Sequence, residues 1–203
     1  MTILQLIAAG GLTLYVLIFC SVLSIAIIIE RYFYYRSRSR VKRALFMANI
    51  RKLMEKGDIE SALASCRKAN TSFSNVVSAG LGFAKHTEKE VSNNMERTII
   101  IETNLLERRT TIVGTIGSTA VYIGLFGTVL GVIKAFNDIS MAGSGGINVV
   151  MNGISESLIC TAAGLCVAVP AVIAYNYFIK KIDNFITDME LCASETMDLV
   201  KTR

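Results

Sequence analysis

The stretch ISESLICTAAGLCVAVPAVIAYNYF, from Ile154 to Phe178, decides the fold of this chain. It carries one charged side chain, Glu156, and one proline, Pro170. A helix needs about 20 apolar residues to cross the hydrocarbon core of a bilayer, and this run is long enough. Hydroxyls (Ser157, Thr161) and small residues (Ala162, Ala163, Gly164, Ala168) are interleaved with Leu, Ile and Val. A carboxylate in or near a lipid-spanning helix is expensive and faces protein or water, so it marks a functional position.

Outward from that stretch lie two more apolar runs. Gly11 to Ile29 contains no charge, and Thr111 to Phe136 contains one lysine, Lys134, near its outer end, where it can snorkel. Three spans in a chain that is 52% hydrophobic with one proline indicate a helical membrane protein. The basic residues set its orientation. Segment 30–110 holds 16 Lys and Arg and the tail from residue 180 holds four, whereas segments 1–11 and 137–152 hold none. By the positive-inside rule the N-terminus and the 137–152 loop are external, and 31–110 and 180–203 are cytoplasmic. No basic n-region precedes the first run, so no cleavable signal peptide is expected. The cluster Arg31, Arg36, Arg38, Arg40, Lys42, Arg43 follows from topology and anionic head groups, and no nucleic-acid partner is expected.

The reading divides the chain into 1–30 (external N-terminus and first span), 31–110 (cytoplasmic helical domain), 111–136 (second span), 137–152 (external loop), 153–179 (third span) and 180–203 (cytoplasmic helix). The fold class is an all-α membrane protein whose second and third spans extend far into the cytoplasm, beside a small cytoplasmic helical bundle. Within 44–110, Leu45–Glu55 reads as a helix, Gly57-Asp58 as a break with Asp58 as N-cap of IESALASCRKA, and Phe73–Phe83 as a third helix. Thr87-Glu88-Lys89-Glu90 matches a capping box. No proline or clear break follows it before Gly114, so one helix of about 48 residues, ~70 Å, is expected to run into the second span. In the tail, Ile182, Phe185, Ile186, Met189, Ala193, Thr196, Leu199 and Val200 recur at helical spacing and are expected to pack on that long helix.

The second span is rich in Gly114, Gly117, Ser118, Gly124, Gly127 and Gly131. Small residues three to four apart let helix backbones approach closely, so this helix is expected to be buried among others. The cysteines Cys20, Cys66, Cys160, Cys166 and Cys192 show no CxxC spacing and read as small reduced hydrophobes. His86 reads as a surface residue. No metal site, cofactor or catalytic constellation is expected, and no inverted repeat suggests a solute transporter.

Thr161 lies about eight residues inside the third span, roughly 12 Å deep, and Thr128 lies at similar depth on the antiparallel second span. With Ser157 they are expected to line a polar cavity near Glu156, suited to protons or cations. A plainer account stands beside this. Glu156 sits in the first turn of the expected third helix, where the dipole favours a carboxylate. The threonine hydroxyls can bond the carbonyl four residues earlier. Glu156 and Thr161 are also about 140° apart around a regular helix. Pro170 bends the span, as a hinge or as a passive kink.

GLFGTVLGVIKAF (124–136) followed by ESLICTAAGLCVAVPAVIAYNYF (156–178) resembles the paired signature of the ExbB/TolQ/MotA proton-channel family, and the three-span layout resembles its ExbB and TolQ branches. The resemblance implies a bacterial inner-membrane subunit that turns the proton motive force into mechanical work for TonB-dependent outer-membrane transport. It further implies a homopentamer around two copies of an ExbD-like single-span subunit, with a TonB-like partner beyond. By position, Thr128 and Thr161 match the family's pore threonines and Glu156 its glutamate on the same helix. The essential proton-carrying aspartate belongs to the partner subunit. A TolQ-like role in envelope integrity and a purely structural scaffold are the alternatives.

Overall fold

The computed structural model describes residues 11–142 and 146–201. Among them seven helices follow in order, with no strand: α1 (Gly11–Arg38), α2 (Arg43–Glu55), α3 (Ile59–Ala69), α4 (Ser72–Gly82), α5 (Glu88–Glu107), α6 (Thr110–Ala142) and α7 (Gly146–Lys201). Three segments, in α1, α6 and α7, are long and apolar enough to cross a membrane. The all-α membrane class is therefore observed. The structure divides into two compact units, Met1–Glu30 with Arg109–Tyr177 and Arg31–Arg108 with Phe178–Arg203.

In the first unit α1, α6 and α7 share a small-residue core. Ile27, Val113, Ile116 and Ala171 form one cluster, and Leu17, Ala120 and Ala168 another. Glycines set the spacing of α6 and α7. A Cβ added to Gly117 would stand 2.8 Å from the Val172 side chain, and one on Gly164 would stand 2.7 Å from the Ala120 carbonyl oxygen. Glu30 pairs with Arg109 at 2.7 Å at the foot of this unit.

In the second unit α2 to α5 and the end of α7 enclose a conventional core. Ile50, Met54, Cys66, Phe73, Val76, Val77, Val91, Met95 and Leu106 are buried with Ile182, Met189 and Cys192. Phe46 and Phe73 rings pack at 5.3 Å. Tyr35 lies 5.4 Å from Phe178 and 6.1 Å from Phe185, and its hydroxyl donates to the Leu106 carbonyl at 2.8 Å. The C-terminal stretch of α7 is tied down by Arg43, which reaches Glu195 at 2.6 Å and Asp188 at 3.4 Å, and by a Lys201–Glu88 pair at 3.1 Å. Of the predicted tail stripe, Ile182, Phe185, Met189 and Thr196 are buried with Cys192 among them, and Ile186, Ala193, Leu199 and Val200 are half-buried.

Local side-chain signals account for three helix starts. Asp58 caps α3 by accepting from the Ser61 amide at 3.0 Å. Thr87 and Glu90 form the expected capping box on α5. A second box, Thr71 with Ser74, starts α4. The sequence reading started this helix at Phe73 and named no cap for it, because serine is a rarer partner than Glu or Gln.

Two expectations give way. The single helix from Thr87 through Phe136 is two helices: α5 ends at Glu107, Arg108 takes ψ 131, and Arg109 takes φ 67, the left-handed region that a non-glycine residue rarely adopts. The segment 137–152, expected as a loop, is helical over 137–142 and 146–152, so α6 and α7 are longer than the apolar runs alone suggest. The expected external stretch 1–10 and Gly143–Gly145 lie outside the described residues.

Candidate functional site: hydroxyls between two membrane helices

Helix α6 presents Gly124, Thr128 and Gly131 to α7, and α7 answers with Ser157, Thr161 and Gly164. These positions recur at spacings of three and four, so each set lies on one helix face. Without the glycines the faces could not close. A Cβ on Gly124 would lie 2.6 Å from the Cys160 carbonyl oxygen, and one on Gly131 would collide with the Ser157 Cβ. A Cβ on Gly127 would lie 2.6 Å from the Thr13 hydroxyl, which itself contacts the Cys160 sulfur at 3.6 Å. Helix α1 thus backs the same spot. Gly114 is the remaining packing glycine named from the sequence, and it abuts the Tyr175 ring.

At the centre the Thr128 and Thr161 hydroxyls hydrogen-bond each other. Thr128 has two further acceptors in reach, the Gly124 carbonyl at 3.1 Å and the Ser157 carbonyl at 3.3 Å. One hydroxyl proton therefore has three oxygens to choose from. When it points at a carbonyl, Thr161 can donate to Thr128, and rotation of the Thr128 hydroxyl reverses the direction of the bond. This is a short chain of exchangeable O–H groups held between two helices. Thr128 bonds its own preceding turn, as the plainer account has it, and also reaches Thr161 across the helix pair.

Ser157 differs from its expected part. It is 4% exposed, and its hydroxyl donates to the Ile154 carbonyl of its own helix at 2.8 Å. It contributes its backbone oxygen to the cluster, not its hydroxyl. Glu156 is half-buried, one residue away and about 100° around α7. Among the described residues no hydrogen bond joins it to either threonine. It stands ten residues into α7, far beyond the first turn to which a helix dipole confines its effect, so the dipole account of Glu156 falls. Pro170 sits inside α7, which continues helical through it.

Residues 38–191 match the model of the MotA/TolQ/ExbB proton channel family. That covers most of the chain and both helices of the hydroxyl cluster.

This chain belongs to the MotA/TolQ/ExbB family.

It is 34% identical to the biopolymer transport protein ExbB of Xanthomonas campestris pv. campestris over 123 residues, 61% of this chain and 49% of that one. A putative ExbB homolog of Methanothermobacter thermautotrophicus is 29% identical over 199 residues, 96% of this chain and 69% of that one. The Tol-Pal system protein TolQ of Pseudomonas aeruginosa is 43% identical over 88 residues, 43% of this chain and 38% of that one. The chain spans about half the length of the first curated relatives it matches. With three apolar helices and this membership, it is a multi-pass membrane protein of a proton-channel family.

Sequence reasoning missed two features. Thr13 touches the cluster from α1, with no signal beyond its being a hydroxyl in an apolar run. Glu102, in the other unit, is 6% exposed, accepts from Asn75 at 2.6 Å and lies 3.7 Å from Arg38.

Proposed function

We propose that this chain is the proton-conducting motor subunit of an inner-membrane complex that passes the energy of the proton gradient to a TonB-like partner for outer-membrane transport. The observation that carries the reading is the Thr128–Thr161 hydroxyl pair, closed between two glycine-lined membrane helices in a chain of this family. In this reading several copies form a ring, five by family resemblance. Thr128 and Thr161 border its pore, and Glu156 sets the local field. A single-span ExbD-like subunit, two copies by the same resemblance, supplies the titrating aspartate. The N-terminus faces the periplasm and the C-terminus the cytoplasm, and Pro170 serves as a hinge in α7. A TolQ-like role is the second reading, and the 43% identity of the matched 88 residues to TolQ favours it. The energy-converting part is the same in both.

The test uses isosteric variants. Thr128→Val and Thr161→Val remove the hydroxyl and keep the shape. Reconstituted with its single-span partner, each should lose proton uptake by tenfold or more while the complex keeps its native mass. Unimpaired uptake in both would overturn the assignment of the pair. Loss of mass with loss of uptake would favour a structural scaffold.

A further inference from the structure

A phenol without a partner and a carbonyl without its usual helical donor lie at one height in the membrane unit. Tyr122 is on α6, 71% exposed, and about 160° around the helix from Gly124, which faces α7. Three other exposed hydroxyls of this helix serve themselves: Thr115 donates to Thr111, and Ser118 and Thr119 donate to Thr115. A phenol reaches past its own backbone and cannot do this. Among the described residues the Tyr122 hydroxyl has no hydrogen-bond partner.

The carbonyl is that of Cys166. Pro170 has no N–H, so the i→i−4 bond that Cys166 would accept inside α7 is missing. Cys166 and Pro170 are both exposed, so this face of α7 is open. A backbone group freed by proline in a membrane helix must be satisfied again, and a donor on a neighbouring helix is one way to do so.

Heights follow from the hydroxyl pair, which fixes Thr128 level with Thr161. Tyr122 is six residues from Thr128, about 9 Å toward the start of α6, and Cys166 is five from Thr161, about 7.5 Å toward the end of α7. The helices are antiparallel, so both displacements run the same way. Donor and acceptor lie within one helical turn of the same level, on different faces of one chain.

We infer that copies of this chain meet with α6 of one against α7 of the next, and that the Tyr122 hydroxyl donates to the Cys166 carbonyl of the next copy. Lipid tails offer no acceptor. Copies inserted in one orientation and related by rotation about the membrane normal keep every residue at its depth, which satisfies both groups at once. A contact between two unlike faces repeats from copy to copy and closes into a ring. Leu125 and Phe126 beside the phenol, and Leu165 and Val169 beside the carbonyl, are exposed apolar groups that would flank it. The contact rests on the self-assembly proposed above.

The full chain in membranes tests it, with Cys166 kept, the other cysteines changed to alanine, and Tyr122→Cys added. A short bis-maleimide should link copies into dimers and higher multiples, and the matching Cys166→Ala chain should give none. Equal linking in that control, or none in protein that sizes as an assembly, would overturn the contact. A double-mutant cycle gives a second reading that does not depend on the cysteines. Tyr122→Phe removes the donor, and Pro170→Ala gives the carbonyl back an internal donor. Each should raise dissociation of the assembly roughly threefold, and the double variant no further. Additive effects would overturn the bond. A wild-type chain that is monomeric in membranes would overturn self-assembly itself, whereas an assembled chain with neither cross-link nor coupling would overturn the contact alone.

Discussion

Gly124 on α6 faces Gly164 on α7 so closely that a Cβ added to Gly124 would stand 3.1 Å from the Gly164 Cα and 2.6 Å from the Cys160 carbonyl oxygen. The obstacle is backbone, which cannot swing aside. The Thr128–Thr161 bond lies one turn from this contact and depends on it. Gly124→Ala should therefore push the helices apart, cost about 1–3 kcal/mol of stability and break the bond. Thermal unfolding in detergent reads the first effect, and proton uptake of the reconstituted complex the second. A variant with wild-type melting and uptake would refute the close contact.

Asn75 and Glu102 carry the second prediction. The Glu102 carboxylate is 6% exposed, accepts from Asn75 at 2.6 Å and lies 3.7 Å from the Arg38 guanidinium. Glu102→Ala strands a partly buried cation and an amide and should destabilise the chain by about 1–3 kcal/mol. Glu102→Gln keeps an acceptor for Asn75 and should do less harm. Melting curves of the two variants decide, and an alanine variant no worse than the glutamine one would show that the bond from Asn75 contributes nothing.

Glu102 also shows what sequence reading could reach. Within ERTIIIETNLLE it has the look of a surface charge between apolar neighbours, and its partners lie 27 and 64 residues away. By contrast, the pairing of Thr128 with Thr161 was legible, because helix rise is constant and depth follows from counting inward from two span ends. The caps at Asp58 and Thr87 were legible too, since each acts over three residues. The break at Arg108-Arg109 was not. It is made by a left-handed arginine with no glycine or proline to announce it. Nor was the continuation of α6 and α7 into 137–152, because ordinary polar residues continue a helix as readily as they leave it.

Cys66 gives a prediction in reactivity. Burial alone pushes its thiol up to about 11, and the thiolate is the reactive form. At pH 8 it should resist maleimide in the folded chain and react when the second unit unfolds. Cys192, fully buried in the tail stripe, should behave likewise. Mass spectrometry after a labelling pulse, with and without denaturant, measures both. Labelling in the first seconds under native conditions would show that the α3 and α7 packing opens freely.

The caps give the pH dependence. The Ser61 hydroxyl and amide hold the Asp58 carboxyl below its ordinary 3.8, and the Thr87 hydroxyl and amide hold Glu90 below its ordinary 4.5. A carboxyl lowered by folding contributes stability that is fully present above its unfolded value and disappears as pH falls through its folded one. The first turns of α3 and α5 should therefore hold at pH 5 and above and fray under about pH 4. Glu90→Gln should lose the charge-dependent part of the cap at every pH. Amide exchange at Ser61 and Glu90, followed from pH 6 to 3, reads the fraying directly. Protection that persists unchanged to pH 3, or vanishes already at pH 6, would contradict the sign.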